Sequence, residues 1–278
     1  MAGTDDSMDS STGESVDDDA LYVLTAALLT PARFPAALGD DYPQACAALG
    51  VEPYPRGYGL IMGQDGDGAR WTVVVDDVSL VAVAIASWDC GMEHDLSPDE
   101  RSVVAALPGW PIALAVAAPG IPAPHDPEPE PGSEEGYGAR PALVPPDTGT
   151  WGPAQRRLGA DEIAKHWPAW REQLDNATDT PEASPGAAPS HEGVLRVLKE
   201  LRGYVETAPP PGRVRSGFAP DEARMLRADG PGWSFVARTD DIAFVLLDEE
   251  PGEVLPVGRG SELPGLLKAL DETAVRPA

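Results

Sequence analysis

The sequence predicts an α+β fold: two small antiparallel β-meander sheets with flanking helices, joined by a Pro/Glu-rich linker. Three observations carry this. Short β-rich runs separated by Gly and Asp turns occur in two places, around 58–86 and around 222–257. Capped, amphipathic segments flank both groups of strands. Between the groups, Pro127-Glu128-Pro129-Glu130-Pro131 breaks all periodicity and reads as a stiff, extended, acidic spacer. With 278 residues, 42% of them hydrophobic, the chain can support two modest cores.

Residues 1–16 are small, polar and acidic, and are expected as a disordered tail. An N-terminal α/β unit is expected over 17–118. Asp17, Asp18 and Asp19 precede the apolar run Leu21–Leu29, which suits a helix, because the helix dipole favours negative charge at its start. Pro31 ends it. A second helix is expected over Tyr42–Leu49, with Asp41 as N-cap and Gly50 as stop. Tyr58–Met62 and Trp71–Val75 read as strands around a hairpin turn at Gln64–Gly68. Asp76-Asp77 reads as a tight turn into Val78–Ala86, which is apolar almost throughout and so reads as a strand buried on both faces. Ser97-Pro98-Asp99-Glu100 has the form of a capping box and predicts a helix running to Leu107. Ile112–Ala118 reads as one more buried strand.

Residues 119–150 form the predicted acidic Pro-rich linker, and 151–189 a Trp-bearing helix followed by a second linker. In that helix, over 160–175, Ile163, Trp167, Trp170 and Leu174 share one face, and Pro168 kinks or divides it. The C-terminal α/β unit is expected over 190–278. Ser190 is expected to cap a helix with Val194, Val197, Leu198, Leu201, Tyr204 and Val205 as its apolar stripe. Strands follow at roughly 222–228, 233–238, 242–248 and 254–257, and Ser261 is expected to cap a last helix.

Trp71–Val81 and Trp233–Val245 resemble each other: each runs from a tryptophan through a β-rich run to an Asp-Asp pair and a second apolar run. A tandem duplication of one module would explain this. It requires Trp71 and Trp233 to face the same way in their sheets, and both Asp-Asp pairs to sit in equivalent hairpin turns.

The formal charge is −26, from 46 acids and 20 bases. Residues 1–118 alone carry 19 acids and 4 bases, whereas 193–278 carry 14 and 11. Nucleic-acid binding needs Lys/Arg patches that displace counterions, so that class is excluded. A field of this sign favours a basic protein partner. Residues 1–19 hold seven acids and no base, unlike a secretory signal, and no uncharged apolar run reaches membrane-spanning length. The expectation is a cytoplasmic protein that does not enter the membrane. Only three lysines occur in a chain rich in Ala, Gly, Pro, Asp and Arg, as GC-rich coding produces.

Chemistry-bearing residues are few. Asp89, Cys90, Glu93 and His94, followed by Asp95, supply thiolate, imidazole and carboxylate donors, the set that zinc uses. In competition, this segment is an ordinary polar loop between elements. Glu162 and His166 stand one helical turn apart and read better as a surface ion pair than as ligands. Gly57, Gly59 and Gly63 lack the strand–loop–helix context of a phosphate loop. Asp65-Gly66-Asp67-Gly68 lacks the later ligands of a calcium loop and reads as a turn. No residue is assigned as catalytic, and no cofactor is expected. Trp167 and Trp170 are candidates for partner binding, since Trp is enriched in binding hot spots; the competing expectation is that both rings pack against a sheet. By architecture alone, each helix–meander–helix unit is similar to secretion-chaperone and immunity-protein folds. The function expected is a non-enzymatic acidic binding module. The alternatives are a metal-dependent protein using Cys90–Asp95, and a scaffold whose linkers space two units.

Overall fold

The computed structural model describes residues 21–32, 38, 41–79, 81, 100–111, 125–127, 143, 149–177 and 191–276. Two antiparallel sheets, of four and five strands, are flanked by helices, the α+β architecture expected.

The first sheet has the order β1 (Tyr22–Leu29), β2 (Tyr58–Gln64), β3 (Arg70–Val75), β4 (Val103–Pro108). The segment expected as the first helix is strand β1. An apolar run this continuous satisfies either period, and pairing with β2 from Tyr22 to Leu29 decides for the strand. Helix α1 (Tyr42–Leu49) forms as expected: the Gln44 N–H donates to Asp41 Oδ1 at 3.0 Å, and Gly50 closes the helix with φ 67°. Its Ala45, Cys46 and Leu49 pack on Leu29, Leu60, Val74, Ala105 and Leu107.

Val78, Ser79 and Val81 are helical, so the long strand expected from Val78 does not start there. Asp77 explains the change. Its Oδ1 accepts from the Ser79 backbone N–H at 3.1 Å and from the Ser79 hydroxyl at 2.6 Å, the work of a helix-start residue. The neighbour of β3 is instead β4, whose Val103–Leu107 part had been expected as the end of a helix. Val103 and Val104 are β-branched, which favours a strand over a helix, and both are exposed. Residues 82–99, including the Ser97–Asp99 cap, and the Ile112–Ala118 strand lie outside the described residues.

Two points of the expected 119–150 linker lie against this sheet. The His125 carbonyl accepts from Arg70 N–H at 2.6 Å, and Leu143 N–H donates to the Pro108 carbonyl at 2.9 Å. The remainder of that linker and the acidic tail 1–16 lie largely or wholly outside the described residues.

The second sheet is a plain meander: β5 (Val214–Phe218), β6 (Arg224–Gly230), β7 (Trp233–Arg238), β8 (Ala243–Leu247), β9 (Leu255–Val257). β5 was not foreseen. Its sequence, VRSGF, carries little β-propensity, and Val275 of the C-terminal segment pairs alongside it. Helices α2 (Pro153–Lys165) and α3 (Trp167–Ala177) cover one face; α4 (Glu192–Glu206) and α5 (Leu263–Thr273) cover the other. Burial on both faces explains why β7 and β8 read as nearly continuous apolar runs. Ser190 lies outside the described residues, and His191 takes the N-cap of α4. Glu262, not Ser261, takes that of α5. Neither cap makes a side-chain hydrogen bond.

The stripe of α4 is inward as expected, with Val194, Val197, Leu198 and Leu201 buried against Trp233, Phe235 and Val245. Leu198→Ala or Leu201→Ala should therefore cost about 2–5 kcal/mol, the usual range for opening a core cavity. Urea denaturation followed by circular dichroism measures this, and midpoints equal to the parent's would place the stripe outside the core.

The expected duplication does not survive the comparison of registers. Val74 faces α1, so Trp71, Val73 and Val75 face away from it. Trp233, Phe235 and Ala237 face the helix preceding their sheet, α4. Asp240-Asp241 sits in the β7–β8 hairpin, where Asp241 N–H donates to the Arg238 carbonyl at 3.0 Å, whereas Asp76-Asp77 leads into helical residues. The two segments share letters, not positions in a fold.

Candidate functional site: a buried arginine–aspartate network

Alternation along β5 and β6 puts Arg215, Arg227 and Asp229 on the sheet face beneath α2, while Val214, Leu226 and Ala228 go to the opposite core. From above, α2 contributes Arg156 and Arg157, both fully buried. Buried charge is tolerated only when paired and hydrogen-bonded, and each of these arginines is. Arg156 pairs with Asp248, and its Nε donates to Ser234 Oγ at 3.1 Å. Arg157 Nε donates to Asp229 Oδ1 at 3.2 Å. Arg215 Nη2 donates to Asp229 Oδ2 at 2.6 Å, and the Ser234 hydroxyl donates to Oδ1 at 2.8 Å. One carboxylate thus accepts from three side chains on α2, β5 and β7.

The network reaches the first unit. Arg157 Nη2 donates to Gln44 Oε1 at 3.0 Å. Arg213 Nη1 lies 2.8 Å from Oδ2 of Asp41, the buried N-cap of α1. Gly212 packs so closely on Tyr42 that a Cβ there would stand 2.7 Å from the tyrosine Cβ.

Two carboxylates of the network shift in opposite directions. Burial would raise Asp229, but the guanidinium groups of Arg215 and Arg157, with the Ser234 hydroxyl, outweigh it and hold the carboxyl below its ordinary value. For Asp41 burial prevails over Arg213 and the Gln44 N–H, and its pKa is raised. The Cys46 thiol, buried under α1, is pushed up to about 11 by burial, far from a reactive thiolate. This arrangement ties α1 and α2 to the second sheet.

The sequence-derived candidates are placed as follows. Among the described residues no three His, Cys, Asp or Glu side chains converge as metal ligands. Asp89, Cys90, Glu93, His94 and Asp95 lie outside the described residues. His166 Nε2 and Glu162 Oε1 are 3.2 Å apart on the surface, the ion pair expected. Asp65 serves its hairpin, accepting from the N–H groups of Asp67 and Ala69 and from the Trp71 indole. Trp167 and Trp170 pack edge-on to Phe244, with centroids 5.3 and 6.4 Å away, and the Trp167 indole donates to Asp241 at 3.1 Å. These two rings therefore belong to the cover of the second sheet. Among the described residues no helix is long and apolar enough to cross a membrane.

Sequence reading missed the network. Its only trace was the adjacent pair Arg156-Arg157 and the charges at Arg227 and Asp229, two apart in a strand and hence on one face. The fold and network define a class: an α+β protein of two antiparallel-sheet units held in contact by a buried ionic cluster. No family model, no curated protein and no solved structure matches the chain.

Proposed function

We propose that this chain is a non-enzymatic, acidic protein-binding module that engages a basic protein partner. The observation that carries the reading is how its positive charge is spent. Among the described residues, twelve arginines stand within ion-pair distance of the chain's own carboxylates, and Arg156 and Arg157 are wholly buried. With 46 acids in the chain, the unpaired remainder of the charge is negative. Such a field speeds encounter with a basic surface and disfavours acidic or polyanionic partners.

The full chain, immobilised and exposed to lysate of its native host at low and then high salt, tests this. A bound protein of high isoelectric point is expected, released as salt rises, because screening shortens the field to about 8–10 Å at physiological ionic strength. Retention of an acidic partner, or of any partner with equal affinity at both salt concentrations, overturns the proposal.

A further inference from the structure

β1 ends the first sheet, and the hydrogen-bond pattern fixes which of its groups face outward. In an antiparallel sheet, alternate residues of a strand turn their N–H and C=O to opposite sides. In β3, Arg70 turns both groups away from β2: its N–H donates to the His125 carbonyl, and its C=O accepts from the Gly109 N–H. Its partner Gln64 therefore turns toward β1, as do Met62, Leu60 and Tyr58 by alternation. Those last three pair with Thr25, Ala27 and Leu29. Ala26 and Leu28 thus turn their N–H and C=O groups outward, and among the described residues nothing bonds to these four groups.

Edge strands are ordinarily blunted by charge, by proline or by brevity. β1 has eight residues, none of them charged and none proline. Its one irregularity, between Val23 and Thr25, leaves Thr25–Leu29 in unbroken register with β2. Thr25, Ala26, Ala27 and Leu28 are each partly exposed. The surroundings are acidic. Asp17, Asp18 and Asp19 stand just ahead of β1 in the sequence, and the Tyr22–Gln64 pairing brings the hairpin of the exposed Asp67 beside the start of the strand. Residues 1–118 hold 19 acids against 4 bases. A second copy of the chain would bring the same charge to this edge and be repelled, whereas a cationic strand is attracted.

We propose that the outer edge of β1 receives an extended, lysine- or arginine-bearing segment of the basic partner as an added strand of the first sheet. Backbone pairing at Ala26 and Leu28 supplies the docking, as in other cases of strand addition to an open sheet edge, and the acidic surroundings select the charge of the incoming segment. The inference rests on the basic-partner reading and gives that reading a place and a mode of contact.

Titration of the full chain into a fluorescently labelled strand-forming peptide, Lys-Val-Thr-Val-Lys-Val-Thr-Val-Lys, followed by anisotropy, tests it. Saturable binding that weakens with added salt is expected. An analogue of equal charge with its three central amides N-methylated should bind about tenfold or more weakly, the scale of a pair of lost backbone hydrogen bonds. The analogue with glutamate in place of lysine should not bind. Ala26→Pro removes one outward N–H at an edge position, where proline is tolerated. It should weaken the lysine peptide to the level of its methylated analogue, with an unchanged circular-dichroism spectrum. The methylated peptide probes the same contact without altering the protein. Equal binding of the lysine peptide and its methylated analogue, both released by salt, overturns edge pairing and leaves the basic-partner reading standing. Equal binding of the glutamate peptide overturns the basic-partner reading and this proposal with it. No saturable binding of the lysine peptide, or a sedimenting dimer that Ala26→Pro dissociates, overturns strand addition by a partner.

Discussion

Asp229→Ala is expected to lower the stability of the C-terminal unit by about 3–5 kcal/mol, the cost of removing one partner from a buried ionic cluster. The loss has a definite origin. Asp229 accepts from Arg157, Arg215 and Ser234, so the variant leaves two guanidinium groups in the interior without their shared carboxylate. Asp229→Asn, nearly the same in shape, should recover only part of the loss, because the charge is what those groups need. Urea denaturation of parent and variants at neutral pH measures the effect. The pH dependence supplies a second readout. The folded carboxyl lies below the ordinary 3.8, so its contribution is fully present above that pH and is lost as pH falls through the folded value. Parent stability should fall over that acid range, and the Asp229→Ala profile should be flatter there. Equal midpoints for parent and Asp229→Ala would mean that the cluster is solvated and not a structural tie.

Trp233→Ala is expected to cost about 3–5 kcal/mol, as for other fully buried large aromatics. Trp233 has no solvent exposure. It packs with Tyr204 at 5.9 Å between centroids, and its indole donates to Glu200 at 2.7 Å. The neighbouring Gly230 leaves room for the ring: a Cβ there would stand 2.2 Å from an indole atom. Trp71→Ala should cost clearly less, since Trp71 is half-buried and outside the core beneath α1. Thermal melts of the two variants side by side measure the difference. Equal losses would contradict the opposite facing of the two tryptophans.

Much of the second unit was legible because its signals are local. The α4 stripe recurs at helical spacing from Val194 to Leu201, and β7 and β8 are rich in Phe and Val between turn residues. The first unit was harder. Leu21–Leu29 has no periodicity that separates a helix from a strand, and only the presence of β2 alongside settles it. Asp77 could turn a hairpin or start a helix, and the same letters serve either purpose. β5 was invisible because a strand carrying Arg, Ser and Gly is stabilised by its partners across the sheet and by Asp229, which is remote in sequence. The network shares that character. Arg157 and Asp229 are 72 residues apart, and no window of sequence shows them meeting.

A sheet that ends on an unpaired strand offers its free N–H and C=O groups to any other strand, including the same strand of a second molecule. Here β5 ends the second sheet, yet Ser216 N–H donates to the Val275 carbonyl at 3.0 Å, and Val275 N–H to the Val214 carbonyl at 2.9 Å. A single residue just past α5, Val275, thus occupies the Val214 carbonyl and the Ser216 N–H on the outer edge of β5, two of the groups through which copies of this chain would otherwise pair. At the opposite end β9 spans only Leu255–Val257 and contains Pro256, which has no N–H to give. Both ends of the second sheet are thereby guarded against polymerisation, one by partial capping and the other by brevity, in a unit whose net charge, with 14 acids against 11 bases over 193–278, does far less to keep its copies apart than that of the first.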